Sequence, residues 1–111
     1  MSEITGVGPD AAIAVNERGG KQSATPYGFN LIDGKAMFKL AEVLAYGAKR
    51  YARDNWRLIS SEDHLNHMLQ HAFAYMAGDR QDDHLGHMLC RSMMKVACAI
   101  AEEEQNAAKL G

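Results

Sequence analysis

The hydrophobic and polar positions of the chain separate an N-terminal part without periodicity from a long C-terminal part with helical periodicity. Residues 1–32 are rich in glycine, hold both prolines, and show no repeating apolar pattern. No stretch of the chain alternates with a period of two, so the pattern predicts no strands. We therefore expect a loop-rich arm over residues 1–32 and a helical domain over residues 33–111.

Three amphipathic helices are predicted in the C-terminal domain. The first is expected over residues 33–53, the second from residue 60 or 61 to residue 78, and the third from residue 82 or 83 to about residue 104. Asp33 and Ser60 are residue types that cap helix N-termini. The predicted fold is an all-α bundle of about three main helices.

Each predicted helix has an apolar face with a period of about 3.6 residues, which we expect to be buried. Three short helices bury little surface alone, and the seven methionines supply adaptable apolar surface, so we expect a homo-oligomer. The faces expected to be buried carry Met37, Leu40, Leu44, Leu65, Leu69, Phe73, Met76, Leu85, Leu89, Met93, Val96 and Ile100.

Composition limits the classes of partner. The 111 residues suit one small domain, and the net charge of −2 supplies no basic field for nucleic acid. No apolar run is long enough to span a bilayer, so no membrane partner is expected. Cys90 and Cys98 lie too far apart on one helix to form a disulfide, so we expect reduced thiols and a cytoplasmic location.

Charge and histidine are unevenly distributed along the helices. Residues 33–57 carry six Lys/Arg against three acids, whereas residues 61–83 carry five acids against one arginine. All five histidines lie in residues 64–87. Lysine, glutamate and glutamine are better helix formers for a solvated face, so the histidines favour a pocket wall or a partner interface, with a plain solvated face as the alternative. The spacing would allow two zinc ligands, but no H-E-x-x-H motif accompanies it and zinc is not predicted.

Acidic residues cluster between the second and third predicted helices. Asp79 and Asp82 are three residues apart, and Mg²⁺ prefers such carboxylates together with substrate phosphates. Glu42 of the first helix could add a third carboxylate. The alternative is that Asp82 and Asp83 only cap the third helix.

Two runs of sequence resemble a known family. The run Leu40-Ala41-Glu42-Val43-Leu44-Ala45-Tyr46-Gly47-Ala48-Lys49-Arg50-Tyr51, followed by Asn55-Trp56, is similar to the signature of the phage and bacterial dATP/dGTP diphosphohydrolases, relatives of the all-alpha MazG-like nucleotide pyrophosphohydrolases. A second motif of the same family resembles the run from His71 to Asp79, followed by Asp82 and by His84-Leu85-Gly86-His87. The resemblance covers about residues 20–100.

The resemblance implies a helical dimer or tetramer in which acids hold Mg²⁺ and water cleaves a deoxynucleoside triphosphate to the monophosphate and pyrophosphate. It implies that Glu42, Asp79 and Asp82 are the catalytic, metal-binding carboxylates. A nucleotide ligand would contact Lys49, Tyr51, Asn55, Trp56, His71, His87 and Arg91. Lys21, which follows a glycine pair that fails the P-loop pattern, is a further candidate for substrate binding.

The chain departs from the MazG-like pattern at catalytic positions. Lys39 and Ala45 flank Glu42 where a second acid is expected, and Asp79 stands in place of the usual glutamate. Three functions therefore stay open. They are a Mg²⁺-dependent hydrolase of purine deoxynucleoside triphosphates, a phage-type sponge that binds nucleotides or cyclic nucleotides without cutting them, and a helical oligomerisation module.

Overall fold

The computed structural model describes residues 4–110, whose regular elements are two short strands, three long α-helices and two short 3-10 helices, Phe29–Leu31 and Asn55–Leu58. The chain divides between Ile32 and Asp33 into an N-terminal unit and a C-terminal unit. Among residues 4–110, no helix combines the length and the hydrophobicity that a bilayer-spanning segment needs.

The N-terminal unit contains a small antiparallel hairpin of strands β1 (Ile13–Val15) and β2 (Lys21–Ser23). The side-chain oxygen of Asn16 accepts hydrogen bonds from the backbone N–H groups of Arg18 and Gly20, which shapes the turn between the strands. The prediction of no strands is therefore wrong for this unit. Strands of three residues are too short to produce a recognisable alternation.

The C-terminal unit confirms the predicted bundle of three main helices, α1 (Gly34–Arg50), α2 (Ser61–Met76) and α3 (His84–Leu110). Both predicted caps are present. The Asp33 carboxylate accepts from the Ala36 N–H, and the Ser60 hydroxyl accepts from the Asp63 N–H. These bonds satisfy N–H groups that the helices themselves leave free.

The helix C-termini differ from the prediction. Helix α1 ends at Arg50 rather than Arg53, and α3 continues to Leu110 instead of fraying near Glu104. Helix α2 ends shortly before Gly78, whose φ of 92° lies in the left-handed region that a residue without Cβ adopts easily.

The faces that pack inside one chain are partly the reverse of those expected. Helices α2 and α3 form the most extensive interface, and its buried polar side chains include His64 at 0% and His84 at 8% exposure. Phe73, Met76 and Val96, all expected to be buried, are 63%, 68% and 58% exposed. That prediction is wrong for a single chain, because periodicity identifies the faces of a helix but not which one its neighbour covers. Cys90 and Cys98 are both buried, and the two form no disulfide with each other.

Candidate functional site

A groove of about 780 Å³ lies in the C-terminal unit, bounded by the second half of α1, the 3-10 helix Asn55–Leu58, part of α2 and the first half of α3. Cavities of about 300–1,000 Å³ accommodate small organic ligands. Four arginines and two aspartates line the groove, so its charge favours an anion. Its polar and aromatic lining residues are Tyr46, Arg50, Tyr51, Arg53, Asp54, Asn55, Trp56, Arg57, His67, His71, Asp82, His87 and Arg91.

A sharp turn after α1 positions the aromatic part of the groove. Asp54 adopts φ 62°, a left-handed conformation that aspartate tolerates better than most residues, and it precedes the 3-10 helix Asn55–Leu58. The Asp54 carboxylate accepts from Arg57 Nε at 3.3 Å, and the Arg57 guanidinium carbon lies 4.2 Å from the centre of the Trp56 ring. The turn therefore presents an indole, a cation and an amide side by side.

The buried side chain of His64 connects this turn to α3. Its Nε2 atom lies 2.9 Å from the carbonyl oxygen of Trp56, and its Nδ1 atom lies 3.0 Å from Nη1 of Arg91. Burial is the main cause that lowers the pKa of His64 below its usual value. The ring is therefore neutral when it makes these two bonds.

A chain of hydrogen bonds runs from an aspartate through two histidines. His84 Nε2 lies 2.5 Å from the Asp79 carboxylate, and His84 Nδ1 lies 2.9 Å from His71 Nδ1. The bond from His84, followed by bonds from Gln81, lowers the pKa of Asp79 to about 2, so this carboxylate is ionised and accepts. The carboxylate can only accept, so His84 Nε2 carries a hydrogen; in that tautomer the bond between the two Nδ1 atoms is donated by His71, which leaves Nε2 of His71 as a proton acceptor.

A third histidine, His87, stacks on the ring of His71 at the groove. The rings of His71 and His87 lie nearly parallel, with their centres 4.9 Å apart and an angle of 13° between them. His87 Nε2 lies 3.3 Å from the Asp82 carboxylate. Burial, and secondly the electrostatic influence of the neighbouring His87 and His84 imidazoles, lowers the pKa of His71. The basic form of His71 therefore predominates at neutral pH.

The groove collects most of the residues that the sequence suggested for nucleotide binding. Lys49 is exposed on α1 and does not line the groove, and Lys21 lies in β2 of the N-terminal unit, so their roles stay predictions. The residues suggested for nucleotide binding that line the groove are Tyr51, Asn55, Trp56, His71, His87 and Arg91, and the suggested metal ligand Asp82 lines it as well.

The three carboxylates suggested for Mg²⁺ have separate partners in one chain. Glu42 pairs with Lys39 at 3.2 Å, Asp79 bonds to His84, and Asp82 pairs with His87. Within residues 4–110, no three His, Cys, Asp or Glu side chains are grouped so that they could hold a metal ion. These residues of one chain therefore do not fit a Mg²⁺ site, and the metal site stays a prediction.

Sequence reasoning left His64, Arg50 and Arg57 out of the candidate site. The excess of basic residues over 33–57 was the available signal for the arginines. His64 shares a helix face with His71, but its main partner is a backbone carbonyl, which no pattern of side chains reveals.

A comparison with family models identifies a family for most of the chain. The model described as dATP/dGTP diphosphohydrolase, N-terminal, matches residues 16–108, a span that contains every residue of the groove. Comparisons with curated proteins and with solved structures find no match. On the strength of a match over most of its length, the chain belongs to the dATP/dGTP diphosphohydrolase family.

Proposed function

We propose that the protein hydrolyses a purine deoxynucleoside triphosphate to the deoxynucleoside monophosphate and pyrophosphate. Water supplies the oxygen that replaces pyrophosphate on the remaining phosphate, and one of its protons must be removed. The family description supports this reaction class. The observation that carries the proposal is the groove itself, which combines arginines, aromatic rings and a histidine with an available acceptor nitrogen.

The parts of the groove suit the parts of a nucleotide. Arginine binds phosphate oxygens with two parallel hydrogen bonds, and Arg91 is held in place for such a contact. Nucleobases stack on aromatic side chains, for which Trp56 and Tyr51 are available. The half-buried Asn55 carries a donor and an acceptor that could bond to the edge of a base.

His71 is the groove residue best suited to take a proton from the attacking water. Its Nδ1 is engaged by His84, which is in turn held by the Asp79 carboxylate, so Nε2 is the nitrogen left to accept. A carboxylate that fixes the tautomer of a histidine is a common feature of general bases.

We also propose that the reaction depends on Mg²⁺, as the resemblance implies. A bound metal ion would supply positive charge for the phosphates. In one chain, Glu42, Asp79 and Asp82 have separate partners and do not converge.

The proposal is tested by incubating the protein with each deoxynucleoside triphosphate and Mg²⁺ and separating the products by ion exchange. We expect monophosphate and pyrophosphate in equal amounts, fastest with a purine substrate. Release of orthophosphate, or no product with either Mg²⁺ or Mn²⁺, contradicts the proposal. Tight binding without turnover would identify a nucleotide-binding protein instead.

We further propose that the protein forms a homo-oligomer through the exposed apolar side chains of α2. Phe73 and Met76 are 63% and 68% exposed and lie about one helical turn apart, so burying them against a second copy would remove apolar surface from water. Light scattering should give at least twice the monomer mass for the wild type and the monomer mass for a Phe73→Lys, Met76→Lys variant. The exposed Val15 of β1 provides a control, since Val15→Lys should leave the mass unchanged. A monomeric wild type contradicts the proposal.

A further inference from the structure

His64 is the largest fully buried side chain among residues 4–110, and it does not line the groove. Both of its ring nitrogens nevertheless bond to residues that do, Trp56 and Arg91. A buried polar ring is costly unless its polar atoms are satisfied, and an apolar side chain would fill the same space without that requirement. The two bonds therefore give histidine a role here that packing alone does not.

The two partners fix the protonation state of the ring. A carbonyl oxygen can only accept, so Nε2 carries a hydrogen and donates to Trp56 O at 2.9 Å. A guanidinium can only donate, so Nδ1 carries no hydrogen and accepts from Arg91 Nη1 at 3.0 Å. Burial of the ring favours the same neutral form.

A neutral acceptor holds Arg91 without cancelling its charge. None of the ion pairs among residues 4–110 includes Arg91. His64 uses one of the five N–H donors of the guanidinium, and the part of the chain that the structure describes shows no further side-chain bond of Arg91, which keeps its positive charge. A carboxylate at position 64 would orient the arginine equally well but would neutralise it.

We propose that His64 is a positioning residue for triphosphate binding, whose neutral ring fixes the Arg91 guanidinium and the Trp56 backbone in the lining of the groove. This inference rests on the proposed function, because the phosphates of a nucleotide are the anion that Arg91 would meet. The carbonyl of Trp56 also lies 3.8 Å from the Cys98 thiol, so it is held from both α2 and α3. His64 thus connects α2, α3 and the 3-10 helix at one point.

Two variants and one control test the proposal by calorimetry with inorganic tripolyphosphate and with purine deoxynucleoside triphosphates. His64→Leu removes both bonds, and we expect binding about 10-fold weaker or more, since hydrogen bonds to charged groups are among the stronger ones. His64→Asn places an amide oxygen near the position of Nδ1, so the acceptor for Arg91 returns and the affinity should recover to within about 3-fold. Ser61→Ala is the control, because Ser61 is also buried in α2 but bonds to Glu102, and its affinity should equal that of the wild type.

Thermal denaturation of each variant separates loss of binding from loss of folding. Nitrogen chemical shifts of the imidazole give a second readout without ligand, and we expect the neutral Nε2–H tautomer for His64. A folded His64→Leu protein with wild-type affinity, an Asn variant no better than the Leu variant, or the Nδ1–H tautomer overturns the inference. If the His64→Leu protein does not fold, the affinity of the His64→Asn variant and the tautomer of His64 in the wild type still test the inference. A wild-type protein that binds no triphosphate overturns the proposed function, and this failure is visible before any substitution is made.

Discussion

Replacement of His71 by glutamine is expected to lower kcat for triphosphate hydrolysis by about 10²–10⁴-fold, the contribution typical of a general base. Glutamine keeps a polar side chain at this position, but its amide cannot take a proton from water. KM should change little, because His71 is expected to act on the water rather than on the phosphates. Initial rates of pyrophosphate release over a range of substrate concentrations measure both constants. His67→Gln is the control for kcat alone, since His67 lines the same groove but takes no part in the hydrogen bonds that connect Asp79, His84 and His71, and its kcat should equal that of the wild type.

The pH dependence of kcat/KM gives an independent check on His71. The reaction needs the basic form, and burial, followed by the electrostatic influence of the His87 and His84 imidazoles, lowers the pKa of His71. Activity should therefore be constant near neutral pH and fall only as the pH drops below the usual histidine value of about 6.5. Activity that rises in acid, or a His71→Gln enzyme with wild-type kcat, would show that another group takes the proton.

Replacement of Gly86 by alanine is expected to destabilise the protein by about 1–3 kcal/mol, the usual cost of overpacking. A Cβ at this buried position of α3 would lie 2.9 Å from Asp83 Cγ and 3.0 Å from Lys39 Cδ. The Asp83 carboxylate cannot move freely, because it accepts from the Gly86 N–H at 3.1 Å and pairs with Lys39 at 3.1 Å. In the Gly86→Ala variant, either the new Cβ clashes with Asp83 and Lys39, or Asp83 moves and loses its two bonds.

Gly47→Ala in α1 is also a glycine-to-alanine substitution, but it is expected to raise the stability of the protein. An added Cβ at Gly47 meets no atom within 4 Å, so alanine should stabilise the helix by about 0.5–1 kcal/mol. Thermal denaturation should show a lower Tm for Gly86→Ala, by about 4–8 °C for each kcal/mol, and an unchanged or higher Tm for Gly47→Ala. Equal Tm values for the two variants would mean that Asp83 and Lys39 do not constrain the start of α3.

Features that depend on neighbouring residues in the chain could be predicted from the sequence. The caps at Asp33 and Ser60 involve side chains and N–H groups three residues apart, and both are present in the structure. The resemblance in Leu40–Tyr51 and Asn55-Trp56 identified the family and several residues of the groove.

Features that depend on contacts between distant residues could not be predicted in the same way. The spacing of Asp79 and Asp82 suggested a shared metal ion, but in the structure the Asp79 carboxylate bonds to His84 and the Asp82 carboxylate pairs with His87. Similarly, the period of α2 distinguished the face with His64 from the face with Phe73. The packing of α3 on the histidine face decides which of them is internal, and that packing is a tertiary property.

Trp56 is the only tryptophan of the chain, and it lies in the wall of the groove beneath the Arg57 guanidinium. The indole emission of the native protein therefore comes from one place, and this place borders the cavity. A guest molecule that stacks on the ring or draws the guanidinium away would alter that emission. Occupancy of the cavity can thus be followed optically in the unlabelled, unmutated protein.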